Sequence, residues 1–432
     1  MKTVEKKYLI PFIIVTFCFA FWGFANDITN PMVKAFSKIF RMSVTDGALV
    51  QMAFYGGYFC MALPAALFIR RHTYKAGLTV GLILYALGAF LFFPARLTGS
   101  YYPFLIAYFI LTCGLSFLET SANPYILRMG SEETATRRLN LAQAFNPIGS
   151  LMGMVVAMTF SQSKLNPLST EERAQLDAAQ FEAVKSADLT VVSNPYLVIG
   201  LVILLILFLV RVVKMPRFLG EFTEENKLGS TVKRLLSRKR YTFGVIAQFF
   251  YVGVQIMSWT FIIQYGTRIF MGEGMDEQAA EILSQRFNIV AMVIFCCSRF
   301  ICTALMKYFK PSSMLSFFAI VGALLMVGVI GIDGRWGLYC LVAVSACMSL
   351  MFPTIYAIAL DGVGDDACIG AAGLVMAILG GSVLPPLQAA IIDQGTIAGY
   401  PAVNISFILP LICFVVVLIY GLGVRKKDLQ MK

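Results

Sequence analysis

The sequence predicts an all-α membrane protein: twelve transmembrane helices in two pseudo-symmetric six-helix bundles. Three observations carry this. The 432 residues are 58% hydrophobic with a mean hydropathy of +0.76, against an apolar share of about 45–50% in soluble domains. Only 14% of residues are charged, and they cluster between runs that are apolar all round, leaving no polar face for water. The apolar runs come as six, then a basic stretch, then six more.

Spans 1–6 are expected over 8–36, 46–69, 77–95, 101–127, 139–160 and 195–213. Spans 7–12 follow over 241–270, 286–309, 312–332, 336–360, 367–393 and 403–424. Several exceed the roughly 20 residues a crossing needs, which predicts tilt or protrusion. No cleavable leader is expected, since the first run is too long for one and lacks a small-residue cleavage site. The implied organisation is a bundle at 1–213, a linker at 214–240 and a bundle at 241–432. The stretch 161–194 is polar and acidic and reads as an excursion between spans 5 and 6. In the linker, STVKRLLSRKR reads as an amphipathic helix on anionic lipid or as plain connection. The halves echo faintly: ETSANPYIL in span 4 against MFPTIYAIAL in span 10, and NPIGS in span 5 against GGSVLPPLQ in span 11. Pro and Gly inside a span are tolerated where neighbouring helices or a cavity satisfy the freed backbone groups.

The net charge of +11 does not indicate nucleic acid, because the basic residues sit in short loops between spans. With the N-terminus inside, 24 of the 35 Lys and Arg fall on the inner side, 10 on the outer side, and Arg299 lies within a span. Both termini are therefore expected in the cytoplasm. The ten Cys all lie in apolar stretches and the single His is His72, so the cysteines read as packing residues rather than zinc ligands. Motifs for a nucleotide-binding loop, a zinc protease or a serine hydrolase are missing. Neither ATP-driven pumping nor enzymatic chemistry is indicated, and no cofactor or metal is expected.

Two acids interrupt the apolar runs, Asp27 in span 1 and Glu119 in span 4. An ionised carboxylate at a helix centre costs roughly 2.5–3.5 kcal/mol even on the mild insertion scale. Such a group faces a cavity, pairs with a cation, or takes up a proton. For Asp27 the alternative is a helix-end residue near the outer interface. Each acid has amide company at helical spacing: Asn30 three residues after Asp27, and Asn123 four after Glu119. Gln143 and Asn146 share a face of span 5, Gln255 and Trp259 one of span 7, and Gln51 and Tyr55 one of span 2. Amides and carboxylates suit the hydroxyls of a sugar, whose apolar face stacks on an indole. The alternative for each amide is a hydrogen bond that joins helices, and for Trp22 and Trp259 a place in the interfacial belt. Tyr356, beside Pro353, is a further candidate. Arg299 either snorkels inward, pairs with an intramembrane acid, or gates the cytoplasmic side.

The chain resembles the fucose–galactose–glucose:proton symporters of the major facilitator superfamily, nearest their bacterial L-fucose branch. YLIPF at 8–12, QMAFYGGYF at 51–59, YKAG at 74–77, FLETSANPY at 117–125, RLNLAQAFN at 138–146, QFFYVGVQ at 248–255 and FPTIY at 352–356 carry the resemblance in order and spacing. It implies the major facilitator fold, one central site opened alternately to each side, and a proton entering with the sugar. It implies proton-handling carboxylates in spans 1 and 4, the latter matching Glu119. The span 1 acid does not carry over cleanly. Matched without a gap on Trp22, Ala25 and Asn26, the acid of an enteric member falls on Asn30, one turn beyond Asp27. Asp27 is expected to take over the role, with Asn30 as a sugar ligand. The remaining expected sugar ligands are Asn123, Gln143, Asn146, Gln255, Trp259, Trp22 and Tyr356, with Arg299 as gate or charge partner. Expected partners are L-fucose and a proton; the protein is expected as a monomer in a bacterial inner membrane. Glucose, galactose or N-acetylglucosamine, and sodium in place of the proton, are the alternatives within this reading. A channel or a sugar sensor is the alternative outside it.

Overall fold

A computed structural model describes residues 4–29, 32–42, 49–156, 164–166, 168, 172–173, 175–216 and 228–430. Eleven helices among them are long and apolar enough to cross a membrane. The remaining expected span, span 5, is present as two helices, Ala135–Gln143 and Asn146–Val156. The chain is thus a multi-pass membrane protein.

Packing divides the chain into two compact units. One comprises Val4–Met129 and Phe145–Thr223; the other comprises Met1–Thr3, Gly130–Ala144 and Glu224–Lys432. Gly130–Ala144 groups with the second unit, whereas the sequence division places it in 1–213.

In the first unit, span 1 is the helix Leu9–Thr29, followed by a short helix Met32–Phe40. Spans 2, 3 and 4 are Leu49–Arg71, Tyr74–Thr98 and Tyr102–Leu127. Thr73 starts span 3 by accepting from Ala76 N, and Gly99 ends it in the left-handed conformation, φ 61°. Span 4 is the inner helix: every residue from Leu111 to Ile126 is buried. Anything polar on it must be satisfied inside the protein.

Span 6 corrects the sequence reading. It runs Ala178–Val212, so the second part of the expected excursion 161–194 is helical. Asp177 caps it, accepting from Gln180 N at 2.7 Å, and Asp188 forms a fully buried ion pair with Arg173 at 2.6 Å. That pair buries an acid and a base that hydropathy assigns to solvent. Span 8 likewise starts early, at Glu277, where Asp276 accepts from Ala279 N.

In the second unit, span 7 is Lys239–Gly272, which packs against spans 8, 10, 11 and 12. Spans 8 and 9 are Glu277–Leu305 and Pro311–Gly331. Spans 10, 11 and 12 are interrupted, as Arg335–Met348 with Met351–Leu360, Ala367–Met376 with Gly380–Ile392, and Ala402–Ser406 with Ile408–Gln430. The basic stretch contains a helix, Leu228–Ser237, whose Thr231 and Leu235 are buried. Arg234 anchors it with two bonds to the Asp366 carboxylate, at 2.8 and 3.0 Å.

Each unit uses the same close approach of helices. A Cβ on Gly149 of span 5 would overlap the Ala20 carbonyl of span 1, and one on Gly380 of span 11 would overlap the Phe249 carbonyl of span 7. Only glycine fits at such backbone contacts. The pairing of span 5 with 1 and of span 11 with 7 gives the faint echo of NPIGS and GGSVLPP a structural basis.

Candidate functional site

The first unit holds a polar network between spans 1, 2 and 4. Trp22 is buried, stacks on Phe19 at 5.1 Å, and donates from its indole N–H to the Tyr58 hydroxyl at 2.7 Å. The Tyr58 carbonyl accepts from Ser116 Oγ of span 4 at 3.1 Å. Asp27 and Glu119 are both buried, each 8% exposed. Tyr55 and Tyr58 of span 2 are buried in the same unit, 8% and 5% exposed. They lie three apart, so their rings share one helix face. One oxygen of Glu119, Oε2, is buried with no hydrogen-bond partner among the described residues. An acceptor without a donor is costly in such a place.

Asn146 is half-buried in the same unit and donates to the Phe19 carbonyl at 3.3 Å, beside the Gly149–Ala20 contact. Asn123 is fully buried within span 4, one turn beyond Glu119. Asn30 lies outside the described residues.

The second unit holds Gln143, Gln255, Trp259, Arg299 and Tyr356. Trp259 is half-buried, donates to Ser345 Oγ at 3.2 Å and meets the Phe295 ring edge-on at 4.9 Å. Gln255 is also half-buried, one turn before it. Tyr356 is fully buried and stacks on Phe352 at 6.3 Å between ring centres.

Arg299 is 3% exposed. Its guanidinium lies 4.5 Å from the centre of the Phe295 ring. Nε donates to the Ser349 carbonyl, and Nη1 to the Gln143 carbonyl at 3.0 Å. Among the described residues no carboxylate pairs with it. The two carbonyls have a common origin. Residue 147, four after Gln143, is proline, and residue 353, four after Ser349, is proline. Proline has no N–H to return the helical bond, so each carbonyl needs another donor. Arg299 supplies both, at the break after Gln143 and at the break around Ser349 and Leu350. A cation also suits the negative end of a helix. Asn140 adds a second link between spans 5 and 10, donating to Thr354 Oγ1 at 3.2 Å.

The structure therefore groups Trp22, Asp27, Glu119, Asn123 and Asn146 in one unit, and Gln143, Gln255, Trp259, Arg299 and Tyr356 in the other. Sequence reasoning missed Tyr58, Ser345 and Ser349. Tyr58 had a signal, its spacing of three from Tyr55; the serines had none.

The Major Facilitator Superfamily profile matches residues 15–385. The L-fucose-proton symporter of Haemophilus influenzae is 53% identical over 428 residues, covering 97% of both chains. The L-fucose-proton symporter of Escherichia coli is 32% identical, covering 96% of this chain and 93% of that one. A glucose/galactose transporter of Brucella abortus is 30% identical over 97% of this chain and 95% of that one. Among solved structures, the major facilitator transporter FucP in the outward conformation matches with a TM-score of 0.87 at 31% identity, over 97% of this chain and 99% of that one. The chain belongs to the major facilitator superfamily.

Proposed function

We propose that the chain is a proton-coupled sugar symporter that imports L-fucose by alternating access. The observation that carries the coupling is Glu119: a buried carboxylate on the innermost helix of its unit, with one oxygen lacking a donor. Protonation removes its charge and lets it donate a hydrogen bond. The substrate rests on the 53% relative, whose name is L-fucose-proton symporter.

In this reading a proton and a sugar bind from the outer side. Neutralising Glu119 and Asp27 removes charge that resists closure in a low-dielectric site. The two halves then rock to open inward and release both. Asp27 serves with Glu119 in proton handling. Trp22, Asn30, Asn123, Asn146, Gln143, Gln255, Trp259 and Tyr356 surround the sugar, and Arg299 holds the gate. One proton moving inward gains about 2.3 kcal/mol per 100 mV, which sustains roughly a fifty-fold sugar gradient. The protein works as a monomer in the bacterial inner membrane with both termini in the cytoplasm, in keeping with the 24 of 35 basic residues on that side.

Glucose or galactose is the second reading, favoured by the 30% relatives named glucose/galactose transporter. Counterflow in proteoliposomes, with L-fucose, galactose, glucose and N-acetylglucosamine as competitors, separates the two. L-Fucose should compete best. If glucose or galactose competes at lower concentration, the L-fucose assignment fails.

A further inference from the structure

A groove of about 430 Å³ runs between the first turns of span 7 and the last turns of span 12. Its rim carries Lys239 and Arg240, and its walls are Phe243, Ile246, Val416 and Ile419. We propose that this groove binds an anionic glycerophospholipid, with the phosphodiester on the two basic residues and an acyl chain along the walls.

The argument starts from the order of residues along each helix. From Lys239 to Ile246 is about 10 Å of helix, and from Val424 back to Val416 about 12 Å. The groove thus descends from a charged end into an apolar slot over most of a hydrocarbon half-thickness of about 15 Å. Phe243, Ile246 and Ile419 are exposed along it, as side chains that meet acyl chains should be. Below the rim the lining is apolar apart from Tyr420, whose hydroxyl is buried away from the groove surface, so an acyl chain finds a nearly continuous apolar wall.

Charge decides which lipid. Arg240 pairs with Asp361 at 2.8 Å. Lys239 is exposed and has no ion-pair partner among the described residues. Arg425, which directly follows the groove residue Val424, is also exposed. The rim keeps net positive charge after Asp361 is counted, so a headgroup with net negative charge is favoured over a zwitterion.

Gly423 supplies the test. It lines the groove, and a Cβ there meets nothing within 4 Å. Gly423→Trp therefore fills the groove without entering the protein core, and Gly423→Ala leaves it open. Native mass spectrometry of the purified full chain, titrated with dioleoylphosphatidylglycerol or dioleoylphosphatidylcholine, reads occupancy. The expected result is tighter retention of phosphatidylglycerol. Lys239→Gln should weaken it about five-fold, the effect of one basic residue at an anionic surface, and leave phosphatidylcholine unchanged. Gly423→Trp should abolish it, and Gly423→Ala should not. Equal retention of both lipids overturns the proposal, as does phosphatidylglycerol retention that Gly423→Trp leaves intact. Loss in Gly423→Trp with no effect of Lys239→Gln overturns the headgroup assignment.

Discussion

Arg299 gives the most quantitative test of the structure. Its guanidinium donates to the Gln143 and Ser349 carbonyls, which Pro147 and Pro353 leave without their helical donors. Arg299→Met removes both donors and keeps an apolar chain of similar length. Leaving a buried acceptor unsatisfied costs about 1–3 kcal/mol, hence about 2–6 kcal/mol for two. Loss of the Phe295 contact adds about 0.5–2 kcal/mol. Removing a desolvated cation offsets several kcal/mol of this, so the expected net loss is about 1–3 kcal/mol. A second substitution isolates the hydrogen-bond part. Pro147→Ala returns an N–H four residues after Gln143, where a helical bond can form. In the Arg299→Met background it should recover about 1 kcal/mol, one hydrogen bond; with Arg299 present, the carbonyl already has its donor and the gain should be smaller. The difference is a coupling energy, free of the desolvation term. Thermal unfolding of the four purified proteins, followed by tryptophan fluorescence, measures it. If Pro147→Ala has the same effect in both backgrounds, Arg299 does not serve the proline-freed carbonyl and the reasoning is refuted.

Other outcomes follow from the same geometry. Asp27→Asn should lose proton-coupled uptake; full coupled uptake in that variant would return the span 1 role to another residue. Trp22→Phe keeps the ring but loses the 2.7 Å bond to Tyr58, which should weaken sugar binding by up to about ten-fold if the network shapes the site, read as the half-saturation of counterflow. Gly149→Ala forces a methyl onto the Ala20 carbonyl, so spans 1 and 5 must separate; purified protein should unfold at lower temperature, and transport should fall with it. On the surface, Arg335 bonds both oxygens of Glu273 at 2.7–3.1 Å and holds that carboxyl below its ordinary value of 4.5. The pair's stabilisation is thus present above that value and lost as pH falls through the depressed one. The gap in unfolding temperature between wild type and Arg335→Gln should close on acidification and stay constant between pH 6 and 8.

The membrane class, the order of the spans and the two intramembrane acids are legible because hydropathy and charge are local properties. Asp27 and Glu119 stand out against apolar neighbours, and burial follows from the cost of placing them anywhere else in a span. The polar stretch 178–194 was not legible as helix. The burial of Asp188 depends on Arg173 and the start of the helix on the Asp177 cap, and an average over hydropathy sees neither. For Arg299 the sequence offered snorkelling, an acid partner or a gate. The carbonyl partners depend on which helix breaks fold up to it, which only tertiary structure decides. Pro147 and Pro353 were visible as interruptions, but not as the reason an arginine lies beside them. Tyr58 lies on the same face as Tyr55 in QMAFYGGYF, but its bond to Trp22 joins two spans and is not visible in the sequence.

The most direct test of the central claim is a pH electrode in a lightly buffered, sodium-free suspension of de-energised cells expressing the protein. Adding L-fucose should make the medium alkaline as protons enter with the sugar, and Glu119→Gln should abolish that signal while exchange of labelled fucose continues. L-Fucose uptake without alkalinisation, or an undiminished signal in Glu119→Gln, would contradict the account.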